Sequence, residues 1–424
     1  MHNNRLFAAA LVVALVTPAG HEIRARASAS SVILDWNQIL QATIPKPVGV
    51  LSPRYYAMMH IAMFDAVNTV RREFEPYRVG RRDAAGSAEA AAAQAAHDVL
   101  VALNPSAVKA YDAALARQLG TRPSGFVRRG AAVGAFVAGE ILAWRQNDGW
   151  IVTSPTPYAE PALPGRWQPT PPAHAAAAFA HLQHAAPMAL LSATQLLPSP
   201  PPSLTSERYA DDLNEVKLIG RVDSAVRTAE QTAIARLWAG AGVGGATDFF
   251  AVWQNVARDV ARDRNLPLVD AARLFALLNV SIHDALQTAQ ASKFVYGLWR
   301  PVTAIRGAAD DLNPATDADA GWLPLLATPP YPSYSGNLAA IGASAARALE
   351  LAIGTDDVPV AVTWRQAGGL PDVTRHFDSF SQAAKEQSMS RLYGGIHYRF
   401  DQDAGEHMGR TVADFVFANY LPRR

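Results

Sequence analysis

Three short stretches in the C-terminal half hold side chains that could do chemistry together. They are Lys293-x6-Arg300-Pro301, Pro332-Ser333-Tyr334-Ser335-Gly336-Asn337 and Ser390-Arg391-x5-His397-x3-Asp401. Lys293, Arg300 and Arg391 are fixed positive charges; the remainder are hydroxyls, a glycine-flanked backbone and one imidazole with a carboxylate four residues on. The three stretches contain no cluster of metal ligands. Such a set suits a tetrahedral oxyanion, phosphate or vanadate. Guanidinium forks give paired hydrogen bonds to oxyanions, and an ammonium adds a compact point charge. A backbone N–H at a helix start adds a donor with a favourable dipole.

The elements around these residues must aim them. Helical patterning over 268–291 predicts that Lys293 follows a helix and sits near the Trp299-Arg300-Pro301 turn, where proline fixes the chain. Phe294, Tyr296 and Trp299 surround the two charges, and a charge buried beside aromatics needs a partner. Ser335-Gly336-Asn337 opens an Ala-rich helical segment at 338–353, so Ser335 lies near a helix N-terminus. Gly336 would let a ligand approach the backbone closely, while ordinary capping by Ser335 or Asn337 is the plain alternative. A helix from about Phe380 would carry Glu386 and Ser390 on one face, and Gly394-Gly395 would break it. A second helix near Ile396 would place His397 and Asp401 on a shared face. The carboxylate would then fix one imidazole nitrogen and leave the other for chemistry.

The order and spacing of these motifs resemble the vanadium-dependent haloperoxidase and type-2 phosphatidic acid phosphatase superfamily. Its pattern is Lys-x6-Arg-Pro, then Pro-Ser-Gly-His, then Ser-Arg-x5-His-x3-Asp. The first and third parts match in full. The segments "VILDWNQIL" from Val32, "MMHIAMFDAVN" from Met58, "GRWQPTPP" from Gly165 and "FVYGLWRPVTAIR" from Phe294 are similar to its bacterial haloperoxidase-like branch, so the resemblance covers residues 31–424. The middle part departs from the pattern: Asn337 stands where the family has an acid–base histidine, and Tyr334 precedes the serine. Asn can donate a hydrogen bond but cannot shuttle a proton.

The resemblance implies an all-α fold of two packed helical bundles with long irregular connections. It implies that His397 is the axial ligand of a vanadate cofactor, with Lys293, Arg300, Arg391, Ser335 and the Gly336 N–H on its oxygens and Trp299 as a possible wall of the halide pocket. The small-molecule substrates would be peroxide and a halide. The same cradle could serve an acid phosphatase cleaving a phosphate ester through a phosphohistidine at His397. A third reading is an impaired homologue that binds the oxyanion without efficient turnover, on account of Asn337. The catalytic set is therefore His397, Asp401 and position 337.

Bulk properties bound these readings. Thirty-eight basic residues against 37 acidic give a net charge of +1, which offers no argument for nucleic acid. The absence of cysteine rules out thiolate nucleophiles, disulfides and Cys-based metal sites. Arg5, the apolar run Leu6 to Val16 and Ala27-Ser28-Ala29 have the layout of a secretory leader over residues 1–29, making the protein secreted or periplasmic. No later stretch reaches 18 uninterrupted apolar residues, so no membrane span is expected in the mature chain.

Residues 30–152 read as an N-terminal helical half, with helices at 54–70, across 85–118 with a break at Asn104-Pro105, and at 126–147. Residues 153–206 are proline-dense, a covering connection with a short helix near 174–184. Residues 207–424 form a C-terminal helical half carrying the motifs, with further helices at 224–238 and 248–263 and a glycine-rich turn from Gly240 to Gly245. No repeat recurs at a fixed period, although the two halves could be related bundles. The remaining histidines take plain readings: His60 as a satisfied core residue, His407 at a close helix contact, and His283-Asp284 as a pair without motif support. The acidic loop Asp310 to Asp319 lacks EF-hand spacing and reads as solvated.

Overall fold

The computed structural model describes residues 31–45, 49–80, 85–152, 154, 156–240, 248–364 and 372–424. The expected leader and residues 241–247 of the glycine-rich turn lie outside the described residues. The fold is all-α. In the first half run α1 (Ser31–Thr43), α2 (Ser52–Arg71), α3 (Ala88–Leu103), α4 (Val108–Leu119) and α5 (Gly125–Arg145). After the connection come α6 (Glu207–Ile219), α7 (Ala229–Leu237), α8 (Phe249–Asp263), α9 (Leu268–Tyr296) and α10 (Pro301–Arg306). The last three are α11 (Asn337–Ile353), α12 (Phe380–Tyr393) and α13 (Arg399–Asn419). Among the described residues the only sheet is a hairpin, β1 (Val360–Trp364) antiparallel to β2 (Val373–Phe377), which sequence patterning did not anticipate. No helix among the described residues is long and apolar enough to cross a membrane.

Two differences bear on the site. Helix α9 runs on to Tyr296, so Lys293 lies inside its last turn rather than beyond it. Helix α13 starts at Arg399, so His397 precedes it and is not helical. Gly395, in a left-handed conformation, turns the chain between α12 and His397.

Helices α2, α3 and α5 pack together in the first half, as α9, α11 and α13 do in the second, with α2 against α9. One apolar core runs through both sets. The halves are built alike in detail. A Cβ on Gly130 or Gly134 of α5 would lie 2.1 or 2.2 Å from the carbonyl oxygen of Ser87 or Ala91. On Gly405 or Gly409 of α13 it would lie 2.3 Å from that of Gly336 or Ala340. The Ser87 amide donates to Phe126 O (3.2 Å) as the Gly336 amide donates to Asp401 O (2.8 Å). Asp65 on α2 takes three consecutive amides, Tyr77, Arg78 and Val79, and Asp284 on α9 takes Met188, Ala189 and Leu190.

The close glycine contact on α13 is testable. In Gly405→Ala the new methyl meets backbone, which cannot rotate aside, so overpacking should cost about 1–3 kcal/mol. Urea unfolding should show a lowered midpoint with an unchanged slope.

The connection holds one regular element among its described residues, a 3-10 turn at Ala180–Gln183, where a longer helix was expected. The chain is instead fastened at points over α9 and the motif loop. Trp167 N donates to Gly297 O (2.8 Å) and Ala178 N to Pro330 O (2.8 Å). Tyr296 Oη donates to Pro198 O and Tyr334 Oη to Ser199 O, both at 2.6 Å.

Candidate functional site

The C-terminal turns of α9 and α12, the start of α10, the loop before α11 and the turn into α13 meet at one place. Lys293 and Arg391 sit in the last turns of their helices, where the negative end of the helix dipole favours a cation. Arg300 caps α10, directly before Pro301. All three are buried, with exposures of 0, 5 and 0 % for Lys293, Arg391 and Arg300.

His397 is the hub. Its Nδ1 lies 2.7 Å from Asp401 Oδ2, and its Nε2 lies 3.1 Å from Arg300 Nη1. The guanidinium can only donate, so Nε2 carries the lone pair and Nδ1 the proton. Asp401 Oδ2 also accepts from Ser333 Oγ (2.6 Å) and from the Tyr398 amide (3.2 Å), which ties the carboxylate to the start of α13. Arg300 donates from Nε to Tyr331 O and from Nη1 to Ile396 O, both at 2.8 Å. Lys293 Nζ donates to the main-chain oxygens of Ser333, at 2.7 Å, and Ser335.

What these groups leave unpaired is more telling. Arg300 Nη2, Arg391 Nη1 and Asp401 Oδ1 are buried without a hydrogen-bond partner. Arg391 forms no ion pair among the described residues. Burial, reinforced by Arg300, pushes the Lys293 ammonium well below its ordinary pKa, with Asp401 opposing. Burial brings Arg391 down to about 10 and lowers Arg300 as well. The His397 imidazole is held well below its usual range by burial, then by Arg300, Lys293 and Arg391. Burial holds Asp401 above the ordinary carboxylate range, against the Ser333 hydrogen bond and the nearby cations. Three crowded cations facing one carboxylate form a site short of negative charge.

Not every expected donor faces the cradle. The Ser335 amide and hydroxyl both turn to Ser292 Oγ, each at 2.9 Å. Ser292 in turn donates to Ala289 O, so the Ser335 hydroxyl proton is spent on Ser292. The Gly336 N–H, expected to face the oxyanion, donates to Asp401 O (2.8 Å). A side chain at Gly336 would meet Gln402 and Asp401 O. Gly336 is the α11 cap residue and makes no side-chain cap bond, so neither Ser335 nor Asn337 caps the helix. Asn337 is the first residue of α11, 8 % exposed, and its side chain makes no hydrogen bond among the described residues.

The aromatic lining also differs. Trp299 packs with Tyr209, Trp322 and Tyr398, and its indole N–H donates to Tyr209 Oη (3.1 Å). The ring that covers the cradle cations is Tyr331. His283 and Asp284 stand about three turns earlier on α9, about 15 Å from Lys293 along the axis. His283 Nδ1 pairs with Asp284 (2.8 Å), and the ring stacks on Trp150 at 4.1 Å. His60 Nε2 accepts from Asn37 Nδ2 (2.9 Å), while its buried Nδ1 has no partner among the described residues. Sequence reasoning missed Tyr331, Ser333, Ser292 and Gln402. The first two lie within or next to the second motif, which was their one visible signal. Among the described residues no group of His, Cys, Asp and Glu could hold a metal ion by itself.

Residues 273–422 match the family described as VCPO second helical-bundle domain. A curated relative, vanadium chloroperoxidase from Curvularia inaequalis, is 29 % identical over 178 residues, 32 % of this chain and 29 % of that protein's length. The match therefore spans less than a third of the relative. The structure of the first bacterial vanadium dependent iodoperoxidase is similar at a TM-score of 0.76 and 26 % identity, covering 93 % of this chain and 96 % of that one. A holo-type bacterial vanadium-dependent chloroperoxidase shares the fold, with a TM-score of 0.69 at 16 % identity over 89 and 93 % of the two chains.

Proposed function

The chain belongs to the vanadium-dependent haloperoxidase superfamily, and from that premise we propose that it is an exported vanadate-dependent peroxidase that oxidises halide with peroxide. The observation that carries this reading is the pair of unpartnered guanidinium nitrogens, Arg300 Nη2 and Arg391 Nη1, buried beside a neutral imidazole. A multiply charged tetrahedral oxyanion fits that deficit: it would accept from both guanidiniums and offset the mutual repulsion of the three cations. A bound vanadate would supply the electrophilic centre at which peroxide becomes reactive towards halide.

The protein's own part is to hold and orient. His397 Nε2 offers its lone pair, and Asp401 holds the Nδ1 proton and the ring's direction. Lys293, Arg300 and Arg391 provide the fixed positive field that stabilises negative charge on the oxyanion. Burial keeps that field in a low dielectric, where it acts more strongly than in water. Asn337 can donate a hydrogen bond but brings no titratable proton.

A second reading rests on the same imidazole. With Nδ1 anchored on Asp401 and the Nε2 lone pair facing the Arg300 guanidinium, His397 is also arranged as a nucleophile, and the cradle does not tell phosphate from vanadate. Orthovanadate should bind the purified protein and switch on peroxide-dependent oxidation of iodide first and bromide second, in the order of their ease of oxidation. Hydrolysis of p-nitrophenyl phosphate, inhibited by orthovanadate and without halide oxidation, would decide for the phosphatase. No binding of either anion would remove both readings.

A further inference from the structure

Tyr331 lies before the second motif, in the run Pro329-Pro330-Tyr331-Pro332. Its ring centroid is 5.5 Å from Lys293 Nζ and 5.0 Å from Arg300 Cζ. Its main-chain oxygen accepts from Arg300 Nε at 2.8 Å, so the residue grips that guanidinium from both backbone and ring. The phenol is near enough to both Arg300 and Arg391 to act electrostatically on each. The hydroxyl lies beside the Arg300 guanidinium, which can only donate to it, so the phenol's own proton meets no acceptor among the described residues.

The other acidic hydrogens near the cradle are already committed. Ser333 Oγ donates to Asp401 and His397 Nδ1 faces the same carboxylate. Ser335 Oγ turns to Ser292, Tyr334 Oη to Ser199 O and Tyr398 Oη to Trp299 O. Among the described residues the Tyr331 hydroxyl thus keeps its proton for an outside acceptor, as do Arg300 Nη2, Arg391 Nη1 and the Asn337 side-chain amide.

The geometry points to Tyr331 as an oxyanion ligand, its Oη–H donating to an anion oxygen beside the guanidiniums of Arg300 and Arg391. Tyr331 is 8 % exposed and His397 2 %. The inference rests on the oxyanion-site reading but not on the choice between vanadate and phosphate, since a phenol donates to either.

The test is Tyr331→Phe, which keeps the ring over the cations and removes one hydroxyl. Binding of orthovanadate, and separately of inorganic phosphate, is measured by calorimetry on the full chain, with thermal unfolding as a fold control. A hydrogen bond to a charged acceptor should make the loss roughly 10-fold or more in affinity, with the ligand-free melting temperature unchanged. Affinity for both anions within about twofold of the natural protein would overturn the assignment. If the natural protein binds neither anion, the oxyanion-site reading fails and takes this assignment with it. A natural protein that binds tightly beside an unaffected Tyr331→Phe isolates the failure to Tyr331 alone.

Discussion

His397→Ala is expected to lower peroxide-dependent halide oxidation by on the order of 10²–10⁴-fold, the scale of losing one principal catalytic group. The imidazole offers the one nitrogen lone pair seen at the centre of the cradle, and its partner Asp401 already takes two further hydrogen bonds on the same oxygen. Steady-state oxidation of iodide at saturating vanadate measures the loss. A pH signature accompanies it. The folded protein keeps His397 neutral well below the ordinary 6.5, so between that depressed value and 6.5 the unfolded chain binds the extra proton. Stability contributed by this residue therefore rises with pH across that window and falls as the solution is acidified. Asp401 contributes with the opposite sign, since its folded value is raised above the ordinary 3.8. His283 and His60 are depressed too, so the His397 share is read as the difference in acid-side slope between the natural protein and His397→Ala. An identical slope in both would refute a neutral buried imidazole.

Arg391→Ala should weaken orthovanadate binding by at least about 30-fold, since truncating one member of a buried charge pair costs about 2–5 kcal/mol. Its effect on the ligand-free protein should run the other way from that of an ordinary core truncation. Among the described residues Arg391 is a buried cation without an ion pair and with Nη1 unpartnered, so removing the charge relieves repulsion from Arg300. Arg391→Met, which keeps the packed stem, should melt at or above the natural temperature without ligand and lose the rise that vanadate gives. Lys293→Ala should show the reverse balance. Its ammonium binds the main-chain oxygens of Ser333 and Ser335, so it holds the motif loop as well as facing an anion. The affinity loss should be smaller and the stability loss larger. Differential scanning calorimetry with and without orthovanadate separates the two residues.

The side chains that could bind an anion were legible because their types and intervals are rare together, and helix periodicity placed most of their supports. The direction in which each donor points was not. Ser335 and Gly336 stand at the start of α11 as read, but whether their protons face a cavity depends on Ser292 and Asp401, brought in from distant positions. Lys293 and His397 were misplaced by a few residues, at a helix end and a helix start, where propensity changes least per residue. Tyr331 carried no signal apart from proximity, because an aromatic among prolines is ordinary. The kinship of the two halves was also hidden. Asp65 and Asp284 sit in the similar strings Phe64-Asp65-Ala66-Val67-Asn68-Thr69 and His283-Asp284-Ala285-Leu286-Gln287-Thr288, but they recur once, across a connection with no periodicity.

That kinship gives the cradle an internal reference. In the first half the position matching Gly336 is Ser87, whose hydroxyl accepts from Ala90 N (3.1 Å) and finishes α3. In the second half the matching residue has no side chain to finish α11, a difference worth only roughly a few tenths of a kcal/mol because glycine tolerates the cap conformation. Phe126 stands in the first half where Asp401 stands in the second, so one copy carries an exposed phenyl ring and the other a buried carboxylate among cations. The molecule thus holds two castings of a single helical joint, one capped by its own serine and one awaiting its keystone. An anion lodged between Arg300 and Arg391 would complete the architecture of the second casting as much as serve its reaction.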